Sequence, residues 1–428
     1  MNASGGAMSE AGWQASDGVP ARDAVAELQG LYGPFAFPEK LLQKIWLRGD
    51  YARESASTIE GKRVRVLHPG RWNLLGGPDF RGARLRFGDG AERVGDVELH
   101  LHASDWAAHG HARDRAYDEV MLHVVLFPPP AGHVTRGATG ESIPVLALLP
   151  LLLHDLEEYA TEEVVETLAK RPSARITEKL APLPLGELRE LIGKHAEARW
   201  RQKVHFARMR LQRLGWESAC HHVALEILGY RFNRAPMLRI ASRSPLAAWR
   251  AETFSAEAEF KAEEEAWSLQ GLRPANHPRR RLRQYSEWVA ARPLWPTTLE
   301  EVAARLPRVD WDDVVRSVGD ARQRHGLTRR RRELAELICG DRVGGTRFDN
   351  LVCDGFLPLL AAGGADDLGG LWQCWFTGDI PESLSRGLRE LGVTNGRAQP
   401  LCHGLAQGLL GWLIEQERVE GDSEGRGA

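Results

Sequence analysis

The chain has 428 residues, 43% of them apolar and 27% charged, which is ordinary for a globular protein with a large buried core. No uncharged apolar run is long enough to span a bilayer and the N-terminus lacks a secretion-signal pattern, so we expect neither a membrane nor a secreted protein. The formal net charge of −2 conceals basic and acidic runs, and five scattered cysteines without a Cys-x-x-Cys pair favour a reducing cytoplasm.

The predicted elements change character near residue 150. Residues 1–23 are rich in Gly, Ala and Ser and are predicted to be a disordered tail. A helix is predicted over Pro38–Arg48, from apolar residues at helical spacing. Short β-rich runs separated by Gly and Pro follow it, at Arg63–Leu67, Ala83–Phe87, Val94–His102 and Val120–Phe127. Residues 24–150 are therefore interpreted as an α/β domain.

From residue 151 the apolar spacing becomes helical. Helices are predicted over Leu185–Leu214, Glu217–Leu228 and residues 296–318. Residues 151–418 are interpreted as a mainly helical domain, and residues 419–428 as a second disordered tail. The predicted fold class is α+β, with an α/β domain followed by a mainly helical region.

One predicted strand carries an unusual polar face. Because side chains alternate along a strand, Asp96, Glu98, His100 and His102 are expected on one side, with apolar residues on the other. Burying such a face without partners is costly, so a metal site or catalytic cluster would explain it. The alternative is a solvated outer face of an edge strand.

A Gly-Gly-Pro-Asp-Phe turn upstream places Asp79 at the start of the preceding strand. Asp79 and Glu98, on neighbouring strands, could converge on one divalent cation, and carboxylates suit magnesium or manganese. The spacing from Asp79 to Glu98, with a basic residue two further on, resembles the PD-(D/E)xK superfamily of restriction-endonuclease-like nucleases. The resemblance covers about residues 38–128, including its order of elements.

That resemblance implies a restriction-endonuclease-like fold in which Asp79 and Glu98 bind the metal, with Glu39 on the first helix as an additional acid. His100 stands where the superfamily has Lys. A neutral imidazole there could accept a proton from water, or bind a softer metal such as manganese or zinc.

Further histidines follow the strand. His109 and His111 flank Gly110 in a predicted loop and could close over the same site, or form an exposed pair. His123 alternates with apolar neighbours and is interpreted as a hydrogen-bonded core histidine. The string from Gly95 to His102 also resembles the cupin motif, but it is one residue short and lacks the following Glu.

A wider resemblance covers nearly all of residues 38–415. The chain looks like a large uncharacterised bacterial family, a domain of unknown function. The string that carries the resemblance is Asn73, Gly77-Pro-Asp-Phe80, Gly95-Asp-Val-Glu-Leu-His100, Ser104-Asp-Trp106, His109-x-His111, Asp114-x-x-Tyr117 and Leu122-His-Val124. It brings no activity with it, so function has to be argued from the site.

Two basic segments are candidates for contacts with phosphates. The helix predicted over Leu185–Leu214 carries a cationic face, and Arg279–Arg283 combines arginines with a following tyrosine. The candidate nucleic-acid-binding residues are Arg199, Lys203, Arg210, Arg279, Arg280, Arg281 and Arg283. The alternative is a solvated face whose charges pair with the acidic segment 252–265.

The leading hypothesis is a cytoplasmic metal-dependent nuclease. Asp79 and Glu98 would bind magnesium or manganese, with His100 as base or third ligand, and His102, His109 and His111 would be further possible ligands. One alternative is a binding protein for nucleic acid or protein, without catalysis. Another is a non-nuclease metalloenzyme with a histidine-bound ion such as zinc. Substrate, pathway and oligomeric state stay open.

Overall fold

The computed structural model describes residues 25–30, 33–168, 172–229, 233–251, 253–270, 272–365 and 367–426. The predicted tail of residues 1–23 lies outside the described residues. Every strand in the described part of the chain ends before residue 148, and long helices dominate from residue 156 onward. The fold is therefore α+β, as predicted.

The strands form one main sheet and two small hairpins. Their bounds are β1 Val25–Gly30, β2 Gly33–Pro38, β3 Val64–His68, β4 Arg71–Trp72, β5 Phe80–Phe87, β6 Glu92–His100, β7 Val120–Val125, β8 Thr135–Arg136, β9 Ser142–Ile143 and β10 Val145–Ala147. The main sheet has the order β10-β7-β6-β5-β3, and β4 also pairs with β5. Strands β3, β5 and β6 are antiparallel neighbours, whereas β7 is parallel to both β6 and β10. Strand β6 is therefore interior to the sheet.

The helices make up most of the remaining chain. Their bounds are α1 Glu39–Arg48, α2 Asp105–Ala108, α3 Leu156–Leu168, α4 Ser173–Thr177, α5 Leu185–Leu214, α6 Trp216–Gly229, α7 Arg234–Arg243, α8 Leu246–Trp249, α9 Ala256–Ala262, α10 Pro278–Ala291, α11 Trp295–Ala303, α12 Trp311–Arg316, α13 Val318–Arg324, α14 Leu327–Cys339, α15 Gly345–Asn350, α16 Leu357–Ala362, α17 Gly369–Cys374, α18 Glu382–Glu390 and α19 His403–Arg426. Residues Leu351–Phe356 form a π-helical turn between α15 and α16. None of the described helices is both long and apolar enough to cross a membrane.

The predicted elements are present with small shifts at their ends. Helix α1 begins one residue later than predicted, α5 has the predicted bounds, and all four predicted strands are found. The predicted helix over residues 296–318 is interrupted between α11 and α12. Helix α19 continues to Arg426, into the segment predicted as a second tail.

Two large hydrophobic cores correspond to the two parts of the chain. The first lies under the main sheet and includes Leu42 and Trp46 of α1 with Phe80, Val97 and Leu122 of the strands. The second fills the helical region and contains fully buried tryptophans, among them Trp288, Trp295 and Trp372. A further cluster packs α5 against α18 and α19. Apolar burial thus holds α1 against the sheet.

Ion pairs connect α1 and the chain after it to the helical region. Lys44 pairs with Glu163 and Arg48 with Glu166, both on α3. Arg239 of α7 donates from Nη1 to the carbonyl of Gly49 at 2.6 Å and from Nε and Nη2 to Glu263 Oε2 at 3.0 and 2.7 Å. The Arg239 and Glu263 side chains are only 7% and 8% exposed, so this pair joins the two regions in a desolvated place.

We predict that Arg239→Met lowers the free energy of unfolding by about 3 kcal/mol, because it leaves the carboxylate of Glu263 and the carbonyl of Gly49 short of a donor in a buried position. Urea denaturation measures the change. The control is Arg63→Met, which removes an exposed pair with Glu54 and should cost under about 1 kcal/mol. Equal losses in the two variants would contradict the prediction.

Candidate metal centre

The polar face of β6 is buried. Glu98 is 5% exposed and His100 is 1% exposed, on a strand with neighbours on both sides. The alternative of a solvated face on an edge strand is therefore wrong for these two residues. Asp96, which was predicted on the same face, has a separate partner. Its Oδ1 accepts a hydrogen bond from Gly82 N at 2.9 Å, at a bulge in β5.

His102 was expected on the same face, and the structure places it elsewhere. Strand β6 ends at His100, and the chain then bends because Asp105 Oδ2 accepts a hydrogen bond from His102 N at 2.9 Å. The His102 ring is exposed and stacks on Phe127, with ring centroids 4.8 Å apart. The bend after His100 thus ends the alternation on which the expectation for His102 depended.

Three imidazole nitrogens converge at the buried end of β6. His100 Nε2 lies 3.2 Å from His109 Nδ1 and 3.2 Å from His111 Nε2. These three nitrogens form a group in which every pair is within 4.8 Å. A tetrahedral ion bound at about 2.0–2.1 Å separates its ligand atoms by about 3.3 Å. The spacing around His100 therefore fits a metal bound by three histidines.

Glu98 adjoins this triad of histidines. Its Oε1 lies 3.4 Å from His111 Nε2 and 3.6 Å from His100 Nε2. The carboxylate is thus placed to be a fourth ligand or to accept a proton from water beside the ion. His109 is exposed whereas His100 and His111 are buried, so solvent and substrate have access from the side of His109.

The loop after β6 directs two histidines at one point. Gly110, between them, has φ of 74°, a left-handed conformation that glycine adopts at little cost. The turn continues into a short helical segment that begins with His111, whose ring stacks on Tyr117 at a centroid distance of 3.8 Å. The indole of Trp106 packs edge-on against His111 as well. Local backbone geometry and aromatic packing together hold the loop closed.

His123 is fully buried and hydrogen-bonded at both ring nitrogens, as predicted, and it also supports the site. His100 Nδ1 lies 2.9 Å from His123 Nε2, and His123 Nδ1 lies 3.0 Å from Thr135 Oγ1. A metal-binding Nε2 on His100 leaves its ring proton on Nδ1, which then donates to His123. His123 in turn donates to Thr135, whose hydroxyl lies 3.2 Å from His133 Nε2. Such an outer chain is typical of metal-binding histidines because it sets tautomer and ring orientation.

Asp79 supports Glu98 through its backbone. Asp79 N donates to Glu98 Oε2 at 2.9 Å, while its own carboxylate accepts from Gln43 Nε2 at 2.7 Å and from Leu99 N at 3.0 Å. Gln43 in turn accepts from Trp72 Nε1 at 3.0 Å. The described contacts therefore give Asp79 the role of holding Glu98 in place.

The other two predicted site residues lie nearby. Asn73 Nδ2 donates to the carbonyls of Gly76 and Pro78, which braces the turn that carries Asp79. Glu39 is buried in the first turn of α1. Burial, followed by the charges of Glu98, Asp79, Asp114 and Glu39, raises the pKa of Tyr117.

Desolvation sets the protonation of the cluster in the absence of an ion. Burial lowers the pKa of His100 to about 2, of His111 to about 4 and of His123 to about 3, and it raises the pKa of Glu98 to about 8. The imidazoles are accordingly neutral near pH 7, which is the form that binds metals.

Three of the predicted phosphate-binding residues have side-chain partners within the fold. Arg210 donates to Glu226 Oε2 at 2.7 Å, and Lys203 pairs with Asp354 at the same distance. Arg199 contacts two glutamine side chains, those of Gln202 and Gln407. These three cations of α5 are thus engaged with other elements of the fold.

The cluster on α10 is divided. Arg281 is 8% exposed and donates to Gln284 and Asn276, while Arg279 pairs with Glu257 of the acidic segment. Arg280 and Arg283 are exposed, and among the described residues neither forms an ion pair.

His154, Glu158 and Glu226 form a second group with metal-ligand spacing. Arg210 lies among them, with Nη1 2.7 Å from Glu226 Oε2 and Nη2 3.2 Å from His154 Nδ1. A guanidinium already balances these acids, so the histidine triad is the better candidate for a metal.

Sequence reasoning missed several supporting residues. Gln43, Trp72 and Thr135 come from separate parts of the chain, and no motif links them to β6. Tyr117 belongs to the string quoted for the wider resemblance, but its stacking on His111 depends on the loop conformation.

A family model described as "Protein of unknown function (DUF2851)" matches residues 39–260, slightly more than half of the chain. The matched segment contains the triad, Glu98, Asp79 and their supporting residues. No curated protein and no solved structure matches the chain.

We predict that the purified protein binds close to one equivalent of a transition-metal ion, and that His109→Ala or His111→Ala releases it because only two imidazoles remain. Elemental analysis and competition with a chromogenic chelator measure content and affinity. His102→Ala is the matched control and should retain the ion, because its ring lies outside the triad. Retention in the His111 variant would contradict the assignment.

We also predict that Thr135→Val weakens metal affinity by roughly tenfold, because His123 loses the acceptor that orients it toward His100. Thr135→Ser should restore the affinity by keeping the hydroxyl. Thr139→Val, at an exposed threonine that bonds Glu141 instead, should leave it unchanged. Identical affinities in all three variants would show that the outer chain is not needed.

Proposed function

The chain belongs to the DUF2851 family, whose description assigns no activity, and from its site we propose that it is a metal-dependent hydrolase that acts as a nuclease. The single observation that carries the proposal is the convergence of His100, His109 and His111 beside the side chain of Glu98, with His100 Nε2 3.2 Å from a nitrogen of each of the other two rings. Three imidazoles directed at one point form a donor set that suits a shared metal ion.

The donor set favours an ion that prefers nitrogen ligands. Imidazoles suit zinc and iron, whereas magnesium prefers oxygen ligands. The geometry therefore supports zinc, the alternative considered from the sequence, over magnesium. Manganese accepts both nitrogen and oxygen ligands, so its expected fit to this site lies between those of zinc and magnesium.

Each residue then has a defined task. An ion held by His100, His109 and His111 would supply Lewis-acid chemistry and, as a nearby positive charge, would lower the pKa of Glu98 from its raised value. The ionised Glu98 would then accept a proton from water through Oε1, while Asp79 N holds the carboxylate by donating to Oε2. The exposed edge at His109 admits the substrate, and the Tyr117 ring limits movement of His111.

The choice of a phosphodiester substrate is supported by the resemblance to the PD-(D/E)xK superfamily. The order of elements it implies, a helix, antiparallel strands, a short helix and a parallel strand, corresponds to α1, β3, β5, β6, α2 and β7. The roles differ from that pattern, because the ligands proposed here are histidines and Asp79 is a supporting residue.

We predict that Glu98→Gln lowers the rate of cleavage by roughly 10²- to 10⁴-fold while metal content is retained, because the amide cannot accept a proton but the triad is intact. Labelled single- and double-stranded DNA and RNA are incubated with the metal-loaded protein and with the chelated protein. Glu92→Gln, at the exposed start of the same strand, is the matched control and should cleave as the parent does.

Three outcomes separate the alternatives. Cleavage that needs the ion and is lost in Glu98→Gln supports the nuclease. A bound ion without cleavage of any nucleic acid points to a different metalloenzyme. Salt-sensitive binding without an ion or cleavage points to a binding protein and overturns the hydrolase.

A further inference from the structure

The turn that carries Asp79 is a rigid loop. Its ends are joined by a hydrogen bond from Asn73 N to the carbonyl of Asp79 at 2.7 Å, and the Asn73 side chain bonds to Leu75 N and to two carbonyls across the turn. Gly77 has φ of 94°, and a Cβ there would lie 2.8 Å from the Arg81 guanidinium. The loop is therefore held in one conformation by its own contacts.

This rigid loop displays two adjacent leucines to solvent. Leu74 is 75% exposed and Leu75 is 84% exposed, the highest values among the exposed large hydrophobic side chains of the described residues. Single exposed leucines are common, but a braced tip that presents two of them is a feature of binding surfaces. We call Leu74 and Leu75 the leucine tip.

The leucine tip stands at the edge of the metal centre. The loop's last residue, Asp79, donates its N–H to Glu98 Oε2. On the other side, a Cβ on Gly77 would lie 3.7 Å from Ala116 Cβ, next to the Tyr117 that stacks on His111. The leucine loop (residues 73–79) and the histidine loop (residues 101–119) are therefore neighbours at the candidate metal centre.

Exposed arginines lie beside or within both loops. Arg71 and Arg81 flank the leucine loop, and Arg113 and Arg115 lie on the histidine loop; all four are exposed. Within the described residues none of them forms an ion pair, and the only hydrogen bond of Arg81 given by the structure goes to the carbonyl of Gly76.

Two acidic side chains of the histidine loop accept hydrogen bonds from backbone N–H groups of the loop itself. Asp114 Oδ1 accepts from Ala116 N, and Asp105 accepts from His102 N. The two loops thus combine four exposed guanidinium groups with an apolar tip.

We propose that the leucine loop and the histidine loop together form a rim that binds an unpaired nucleic-acid strand. The leucine tip would enter between two bases, and the four arginines would bind phosphates on either side. The inference rests on the proposed nuclease function and specifies its substrate as a strand with bases that can be unstacked. Arginine forms bidentate contacts with phosphate, and leucine is among the side chains that proteins insert between base steps. A phosphodiester held in this way lies at the open side of the triad.

The probe is a short single-stranded DNA with 2-aminopurine at its centre and fluorescein at one end, mixed with metal-free protein so that no cleavage occurs. Insertion between bases should raise 2-aminopurine fluorescence, and anisotropy measures affinity. Leu74→Ser with Leu75→Ser should abolish the fluorescence rise and weaken binding by roughly tenfold, because the apolar contact is lost. Leu294→Ser, at another exposed leucine, should change neither.

The arginines are tested by charge reversal. Arg113→Glu with Arg115→Glu should weaken binding. It should also make the slope of log affinity against log salt concentration shallower, by the amount expected for the loss of about two phosphate contacts. Arg332→Glu with Arg389→Glu, at two exposed arginines of α14 and α18, should bind as the parent does. Thermal unfolding confirms that the variants are folded.

Several results would overturn the inference: no binding of the DNA by the parent protein, unchanged fluorescence in the leucine variant, or loss of binding in the variant of Arg332 and Arg389 instead. Binding of anionic phospholipid vesicles in place of DNA would likewise overturn it. DNA binding with a fluorescence rise but no cleavage by the metal-loaded protein would support the rim and overturn only the hydrolase.

Discussion

Burial of Glu98 and His100 on an interior strand is the constraint on which the surrounding structure depends. A carboxyl and an imidazole removed from water lose several hydrogen bonds, and the fold must replace them. It does so from three directions. The Asp79 turn donates an N–H to Glu98, His123 meets one nitrogen of His100, and the loop with His109 and His111 meets the other. The rings of His109 and His111 complete the buried cluster around His100 Nε2.

The helical region supports this arrangement through α1. Lys44 and Arg48 pair with acids of α3, and Arg239 of α7 binds the carbonyl just after α1. Helix α1 in turn carries Gln43, which holds the carboxylate of Asp79. A continuous set of contacts therefore runs from the helical region to Glu98. The helical part accordingly contributes to the position of the site even though it provides none of the proposed ligands.

Periodicity predicted the parts of the site that depend on local chain geometry. Strand alternation correctly placed Glu98 and His100 together, because both lie within β6. It failed for His102, because the strand ends two residues earlier and Asp105 caps the bend. The convergence of His109 with His111 needed a left-handed Gly110, which a residue pattern does not specify. The contacts of Asp79 could not be predicted from local periodicity either, because its partner Gln43 lies 36 residues away in the sequence.

Charge was the least predictable property, because a cation's availability depends on partners distant in sequence. Lys203 meets Asp354 across 151 residues, so a helix that is strongly basic in sequence has part of its charge neutralised by the fold. The opposite holds for Arg71 and Arg115, which stand alone in sequence and attract no notice as a basic run. Both are exposed, lie beside or within the loops next to the candidate metal centre, and have no acidic partners among the described residues. Whether a cation is available for binding therefore depends on the tertiary structure and cannot be read from the run of charges in the sequence.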